Sequence, residues 1–196
     1  MKNIIILISG SGTNLQHIID FHHTKKVNIA LVISNNPNAY GLTRASNANI
    51  PTLCIPNKGK SRLEHETEII NHIQNIHKLG KIDFILCLGY MRVITKHLLN
   101  WCAYNFINIF NLHPALPHDS LLVGANCIER AYQQSKQGIR KFTGVMIHHV
   151  IEDVDMGEYI VFLRFPVNRF ESLYDLKLKF AVYEKYCLDL FIRKIN

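Results

Sequence analysis

The chain alternates between short, wholly apolar runs and longer segments in which apolar residues recur every three or four positions. Residues 3–9 (NIIILIS) form the first run. It is β-branched and uninterrupted, the pattern of a parallel strand buried on both faces. Runs of the same kind recur at 29–33, 52–55, 82–88 and 106–112, each separated by enough chain for a helix. A helix is expected from near Thr13, and others over 39–47 and 62–78, where Ile69, Ile70, Ile73 and Ile76 share one face. Ile128, Ala131 and Tyr132 suggest a further helix after Gly124. Strands are expected over 143–151 and 159–167, joined by the acidic loop 152–157, with a long amphipathic helix over 171–192. This alternation predicts an α/β fold with a mostly parallel, Rossmann-like central sheet flanked by helices. No repeat, low-complexity tract or linker interrupts it, so a single domain over residues 1–196 is expected.

Composition narrows the class. The 196 residues suffice for one well-buried core, and 48% hydrophobic against 19% charged residues is the balance of a globular protein. The apolar start stops at Gly10, far short of the roughly 20 residues that cross a bilayer, and lacks the features of a secretory signal. No membrane association and a cytoplasmic location are therefore expected. Five cysteines, an odd number without C-x-x-C spacing, argue against a disulfide framework or a zinc ribbon. The 11 histidines show no metal-binding spacing, so no metal is expected. The net charge of +7 favours anionic ligands. No segment interleaves basic and aromatic residues as base-stacking modules do, so nucleic acid is not expected as a partner.

Three segments carry candidate chemistry. Residues 9–14 (SGSGTN) join the first strand to the first helix, where main-chain N–H groups beside small residues suit a phosphate. Leu15 occupies the third glycine position of the dinucleotide fingerprint, so NAD is not expected; a plain tight connection is the ordinary alternative. Asn111 and His113 end a buried strand, where open α/β sheets place ligand sites, and period-two alternation puts both on one side. An amide donor beside an imidazole can hold a developing oxyanion and move a proton. In the loop 152–157, Asp155 could orient the His113 ring and raise its pKa if the two meet; otherwise the loop is a solvated acidic turn.

These motifs, in this order, resemble the glycinamide ribonucleotide formyltransferase family over nearly the whole chain, closest to its fungal form. The residues that carry the resemblance are Ser9 to Gln16 (SGSGTNLQ), Gly89 to Ile94 (GYMRVI), Asn111 to Leu116 (NLHPAL), and the stretches from Thr143 to His148 and Val150 to Gly157. The resemblance implies a single-domain, Rossmann-like formyltransferase fold, with a nucleotide-binding first half (about 1–100) and a folate-binding, catalytic second half (about 101–196). It implies transfer of the formyl group of 10-formyltetrahydrofolate, a co-substrate, to the amine of glycinamide ribonucleotide in purine biosynthesis. The catalytic residues would be Asn111, His113 and Asp155. The substrate phosphate would meet Gly12, Thr13 and Asn14, and the ribose Glu184. Folate would contact Arg62, Met91, Arg92, Val93, Ile94, Asn111, Ile151, Glu152, Asp153, Val154 and Asp155. Neither metal nor NAD is implied, and the protein would be a monomer or homodimer.

Residues 117–124 (PHDSLLVG) depart from the family's usual glycine-rich or basic loop, and Ala125, Asn126 and Cys127 stand where a histidine often follows. Lys185 likewise stands where the family often has histidine. Two alternatives stay open: another folate-dependent formyltransferase or hydrolase, and a catalytically silent folate- or nucleotide-binding module.

Overall fold

The computed structural model describes residues 1–195, which fall into two compact units, Met1–Asn111 and Leu112–Ile195. In the first, β1 (Lys2–Ile8), β2 (Val27–Ser34), β3 (Thr52–Cys54), β4 (Phe84–Leu88) and the start of β5 (Asn108–His113) alternate with α1 (Thr13–Phe21), α2 (Tyr40–Asn47), α3 (Arg62–Leu79) and α4 (Lys96–Tyr104). The strand order is β3-β2-β1-β4-β5, and β1 pairs in parallel with both β2 and β4. That central position accounts for the unbroken apolar run: Ile4, Ile5, Ile6, Leu7 and Ile8 are fully buried, each worth about 1.5–3 kcal/mol of burial.

The helices start and stop on local signals. Ser61 and Glu64 form a capping box at the start of α3, with the Ser61 Oγ accepting from the Glu64 N–H at 3.2 Å and Glu64 Oε2 accepting from the Ser61 N–H at 2.8 Å. Gly80 follows its last residue. The buried Glu66 reaches the start of α4, accepting from the Thr95 and Leu98 N–H groups at 2.7 and 3.1 Å. An anion is favoured at that positive helix end.

The second unit holds the last residues of β5, a short 3₁₀ turn (Ser120–Leu122), α5 (Cys127–Lys136), β6 (Phe142–His149), β7 (Tyr159–Pro166) and α6 (Leu173–Ile195). Here the order is β5-β6-β7, and β6 and β7 pair antiparallel across the loop that the sequence marks as acidic. The α6 helix packs on β6 and β7 through its apolar face, burying Leu176, Phe180, Cys187, Leu188, Phe191 and Ile192. Gly144 lies so close to the Leu163 carbonyl and Leu116 that a side chain there would collide.

Candidate active site

In the first unit, the end of β1 turns into α1 through residues 9–12. Gly12 sits at the N-cap of α1 with φ +70, in the left-handed region, and no side chain caps the helix. A Cβ on Gly12 would lie 2.6 Å from the Cα of Gly41, so the residue is required by packing against the start of α2. Gly10, by contrast, faces open space and binds Gly41 through its carbonyl, which accepts from the Gly41 N–H at 3.1 Å. The loop is held from outside: Ser9 Oγ donates to Asn35 Oδ1 at 2.6 Å and accepts from the Met91 N–H at 2.8 Å. Arg44 Nε donates to the Ser11 carbonyl at 2.9 Å. Small residues and a left-handed glycine thus hold the α1 N-terminus uncapped by a side chain, a geometry suited to an anion.

The other expected first-unit residues are mixed in character. Met91 is 67% exposed and Val93 39%, whereas Ile94 is only 7% exposed and packs inward. Arg92 donates through Nη2 to the Lys60 carbonyl at 3.2 Å. Arg62 is exposed at the first position of α3.

In the second unit, His113 ends β5 and Asp155 stands on the β6–β7 loop at φ 58, a left-handed conformation that aspartate tolerates better than most residues. The two meet: His113 Nδ1 lies 3.5 Å from Asp155 Oδ1, with both side chains nearly out of solvent. The Gly124 N–H donates to the other carboxylate oxygen at 2.7 Å. The turn reading of this loop is thereby excluded for Asp155, while its neighbours Ile151, Glu152, Asp153 and Val154 are exposed. Gly157, which closes the loop, packs against the His149 carbonyl. Glu184 is half-buried on α6, where its charge adds to burial in pushing the Cys187 thiol up to about 12. Asn111 lies two residues before His113 on β5 and is half-buried.

Several residues of this cluster were not singled out by the sequence. His148, 2% exposed at the end of β6, places Nε2 3.5 Å from the same Asp155 Oδ1 and bonds the His149 carbonyl through Nδ1 at 2.8 Å. The Cys127 thiol lies 3.7 Å from His113 Nε2 and donates to the Gly124 carbonyl at 2.7 Å. Arg130 ties the divergent loop together, donating to the carbonyls of Leu121, Val123 and Ala125 at 3.0, 2.6 and 2.9 Å. The sequence resemblance runs through His148 and breaks off at Gly124 and Cys127 without giving any of them a role, and nothing local marks Arg130.

Burial drives the His113 pKa below its ordinary value, against the Asp155 charge and the Leu122 carbonyl, which act upward. This corrects the expected rise, because desolvation of a ring that is 5% exposed outweighs one carboxylate. Burial acts to raise the Asp155 pKa, but the His148 hydrogen bond, the His113 charge and the Gly124 N–H together hold it below the usual carboxylate range. The cluster therefore contains a buried, ionised carboxylate and an imidazole poised to accept a proton.

Residues 2–191 match the formyl transferase family. This chain belongs to that family. Among its relatives, the phosphoribosylglycinamide formyltransferase of Dictyostelium discoideum is 38% identical over 91% of this chain and 90% of its own length. That of Schizosaccharomyces pombe is 35% identical over 100% of this chain and 97% of its own. The solved phosphoribosylglycinamide formyltransferase of Bacillus halodurans has a TM-score of 0.85 at 28% identity, covering 99% of this chain and 95% of that one. The formyl transferase fold, a Rossmann-like arrangement with a mostly parallel sheet flanked by helices, is thus the fold of this chain. Among the described residues no helix is long and apolar enough to cross a membrane.

Proposed function

We propose that the chain transfers the formyl group of 10-formyltetrahydrofolate to the amine of glycinamide ribonucleotide, its two units serving as one formyltransferase domain. The observation that carries this reading is the buried contact of Asp155 with His113, two residues after Asn111, in a chain of the formyl transferase family. The substrate amine attacks the formyl carbon and gives a tetrahedral intermediate. The Asn111 amide and the His113 imidazolium stabilise its oxygen. Collapse of the intermediate breaks the bond between the formyl carbon and folate N10, which leaves as an amine after gaining a proton, while the attacking nitrogen loses one. Asp155 orients the ring and balances the charge of the imidazolium. The His113 Nε2–H, which bonds the Leu122 carbonyl at 3.0 Å, exchanges that acceptor for the reacting oxygen.

In this reading the phosphate binds at Gly12, Thr13 and Asn14, and Glu184 contacts the ribose. Folate contacts come from Arg62, Met91, Arg92, Val93 and Ile94, and from Asn111 and residues 151–155. The exposed Met91, Val93, Ile151 and Val154 supply apolar surface for a planar ring. A cytoplasmic setting with small-molecule partners fits the same reading.

Spectrophotometric turnover tests it: the purified chain should release tetrahydrofolate from 10-formyltetrahydrofolate only when glycinamide ribonucleotide is present. Release without the ribonucleotide would indicate a hydrolase. Folate binding without any release would indicate a silent module.

A further inference from the structure

The geometry points to Arg130 as a positioning residue that, together with the Cys127 thiol, fixes residues 121–125 as a strap beside the His113–Asp155 pair. The strap touches both members of the pair. The Leu122 carbonyl accepts from His113 Nε2 at 3.0 Å, and the Gly124 N–H donates to Asp155 Oδ2 at 2.7 Å. Gly124 stands at φ +81, in the left-handed region, and nothing lies within 4 Å of a Cβ built there, so the glycine serves the turn rather than packing. Beyond the 3₁₀ turn at Ser120–Leu122 no regular element supports these residues, since α5 begins only at Cys127. Two side chains of α5 do so instead. Arg130 Nη1 donates to the Leu121 carbonyl at 3.0 Å, and Nη2 to those of Val123 and Ala125 at 2.6 and 2.9 Å. The Cys127 Sγ lies 3.0 Å from the Leu122 carbonyl and 2.7 Å from that of Gly124. Alternate carbonyls therefore go to alternate anchors, and every carbonyl from 121 to 125 faces a donor of α5.

A guanidinium suits this task because its N–H groups diverge in one plane and it stays charged at every working pH. Bonds from a charged donor are also stronger than neutral ones. The thiol has one proton and two carbonyls within reach, and burial raises its pKa and so keeps that proton in place. The Leu122 carbonyl is the acceptor that His113 Nε2 gives up when the ring turns to the reacting oxygen, and the Cys127 S–H is the donor at hand to replace it. The anchors touch each other as well, Arg130 Nη2 lying 3.5 Å from the Cys127 Sγ. Residues 121–127 lie where the chain departs from the family's usual loop, so this anchoring cannot be read off the resemblance. Its effect on turnover rests on the formyl-transfer reading; the contacts themselves do not.

The test uses Arg130→Lys, which keeps the positive charge that also acts downward on the His113 pKa but replaces the planar fork by a single ammonium. Amide hydrogen exchange followed by NMR on the ligand-free protein reads the strap, and steady-state kinetics reads the pair. In Arg130→Lys the Gly124 N–H should exchange at least about tenfold faster, the scale of one net hydrogen bond lost, while the amides of β6 keep their wild-type protection. kcat should fall about 10²-fold at unchanged KM, as expected when reacting groups are slightly misplaced. If Arg130→Lys does not fold, Cys127→Ala removes the other anchor without a change of charge and should move both readouts the same way, to a smaller extent. Unchanged Gly124 exchange, equal loosening of Gly124 and β6, or wild-type kcat with a loosened strap would each overturn the proposal. A selectively loosened strap in a protein that shows no turnover even as wild type would sustain the anchoring and sink the formyl-transfer reading.

Discussion

The loop after β1 and the loop between β6 and β7 both carry glycines, yet they are held by opposite means. Residues 9–13 act through the main chain: Gly12 at φ +70 lies against Gly41, and the nearby Arg44 guanidinium donates to the Ser11 carbonyl and to Gln16. Residues 152–157 act through side-chain charge, with Asp155 bonded by the Gly124 N–H and faced by two imidazoles. A backbone cradle is broken by bulk and indifferent to pH. A charge cluster is broken by a change of charge without any change of size, and it follows pH.

The largest effect is expected in the charged loop. Asp155→Asn, nearly isosteric, should leave the fold and the KM values close to wild type while kcat falls about 10²–10⁴-fold, the usual contribution of a positioned proton donor. Steady-state kinetics on the folded variant checks this, and wild-type turnover would show that the charge has no catalytic part.

The glycine loop should respond in stability instead. Gly12→Val should lower the free energy of unfolding by at least about 2 kcal/mol, since left-handed backbone costs about 1–2 kcal/mol and overpacking about 1–3 kcal/mol. Urea titration reads this directly. Gly10→Ala, which meets nothing within 4 Å, should stay within about 0.5 kcal/mol of wild type. It should raise the KM for glycinamide ribonucleotide if the phosphate approaches there. Equal stability of the two variants would erase the contrast between packing and access.

pH should separate the loops again. The Asp155 pKa is held down in the folded protein, so its contribution is present above the unfolded value of about 3.9 and is lost as pH falls through the folded value. The His113 pKa is also lowered, so the unfolded chain binds the proton more readily and stability declines as pH falls below about 6.5. Unfolding curves from pH 7 to pH 4 should show a loss that is larger in Asp155→Asn, where no carboxylate charge holds the His113 pKa up, and unchanged in Gly10→Ala. A smaller and purely structural effect serves as a reference: Ser61→Ala, which removes the cap of α3, should cost about 1 kcal/mol in urea unfolding with kcat intact.

What the sequence makes legible follows from how local each signal is. The α3 helix, expected over 62–78, runs Arg62–Leu79 because its capping box and terminal glycine are encoded within a few residues. The run 106–112 overshoots β5, which begins at Asn108. Phe106, 86% exposed at φ 57, and Ile107, whose N–H bonds the Cys102 carbonyl, belong to the end of α4, so an apolar helix cap reads as strand. Asn111, His113 and Asp155 are visible in the sequence as motifs. The part of Gly124 is not, because its N–H meets Asp155 across 31 residues of chain. The direction of the His113 pKa was equally hidden, since the charge partner can be read from a motif but desolvation cannot.

The central claim is that His113 and Asp155 act as one catalytic unit, and a double-mutant cycle on kcat tests it most directly. With His113→Ala, Asp155→Asn and the combined variant all shown to be folded, the account predicts that each single change lowers kcat by a similar factor and the double change lowers it little further. A double variant whose loss is the product of the two single losses would contradict it.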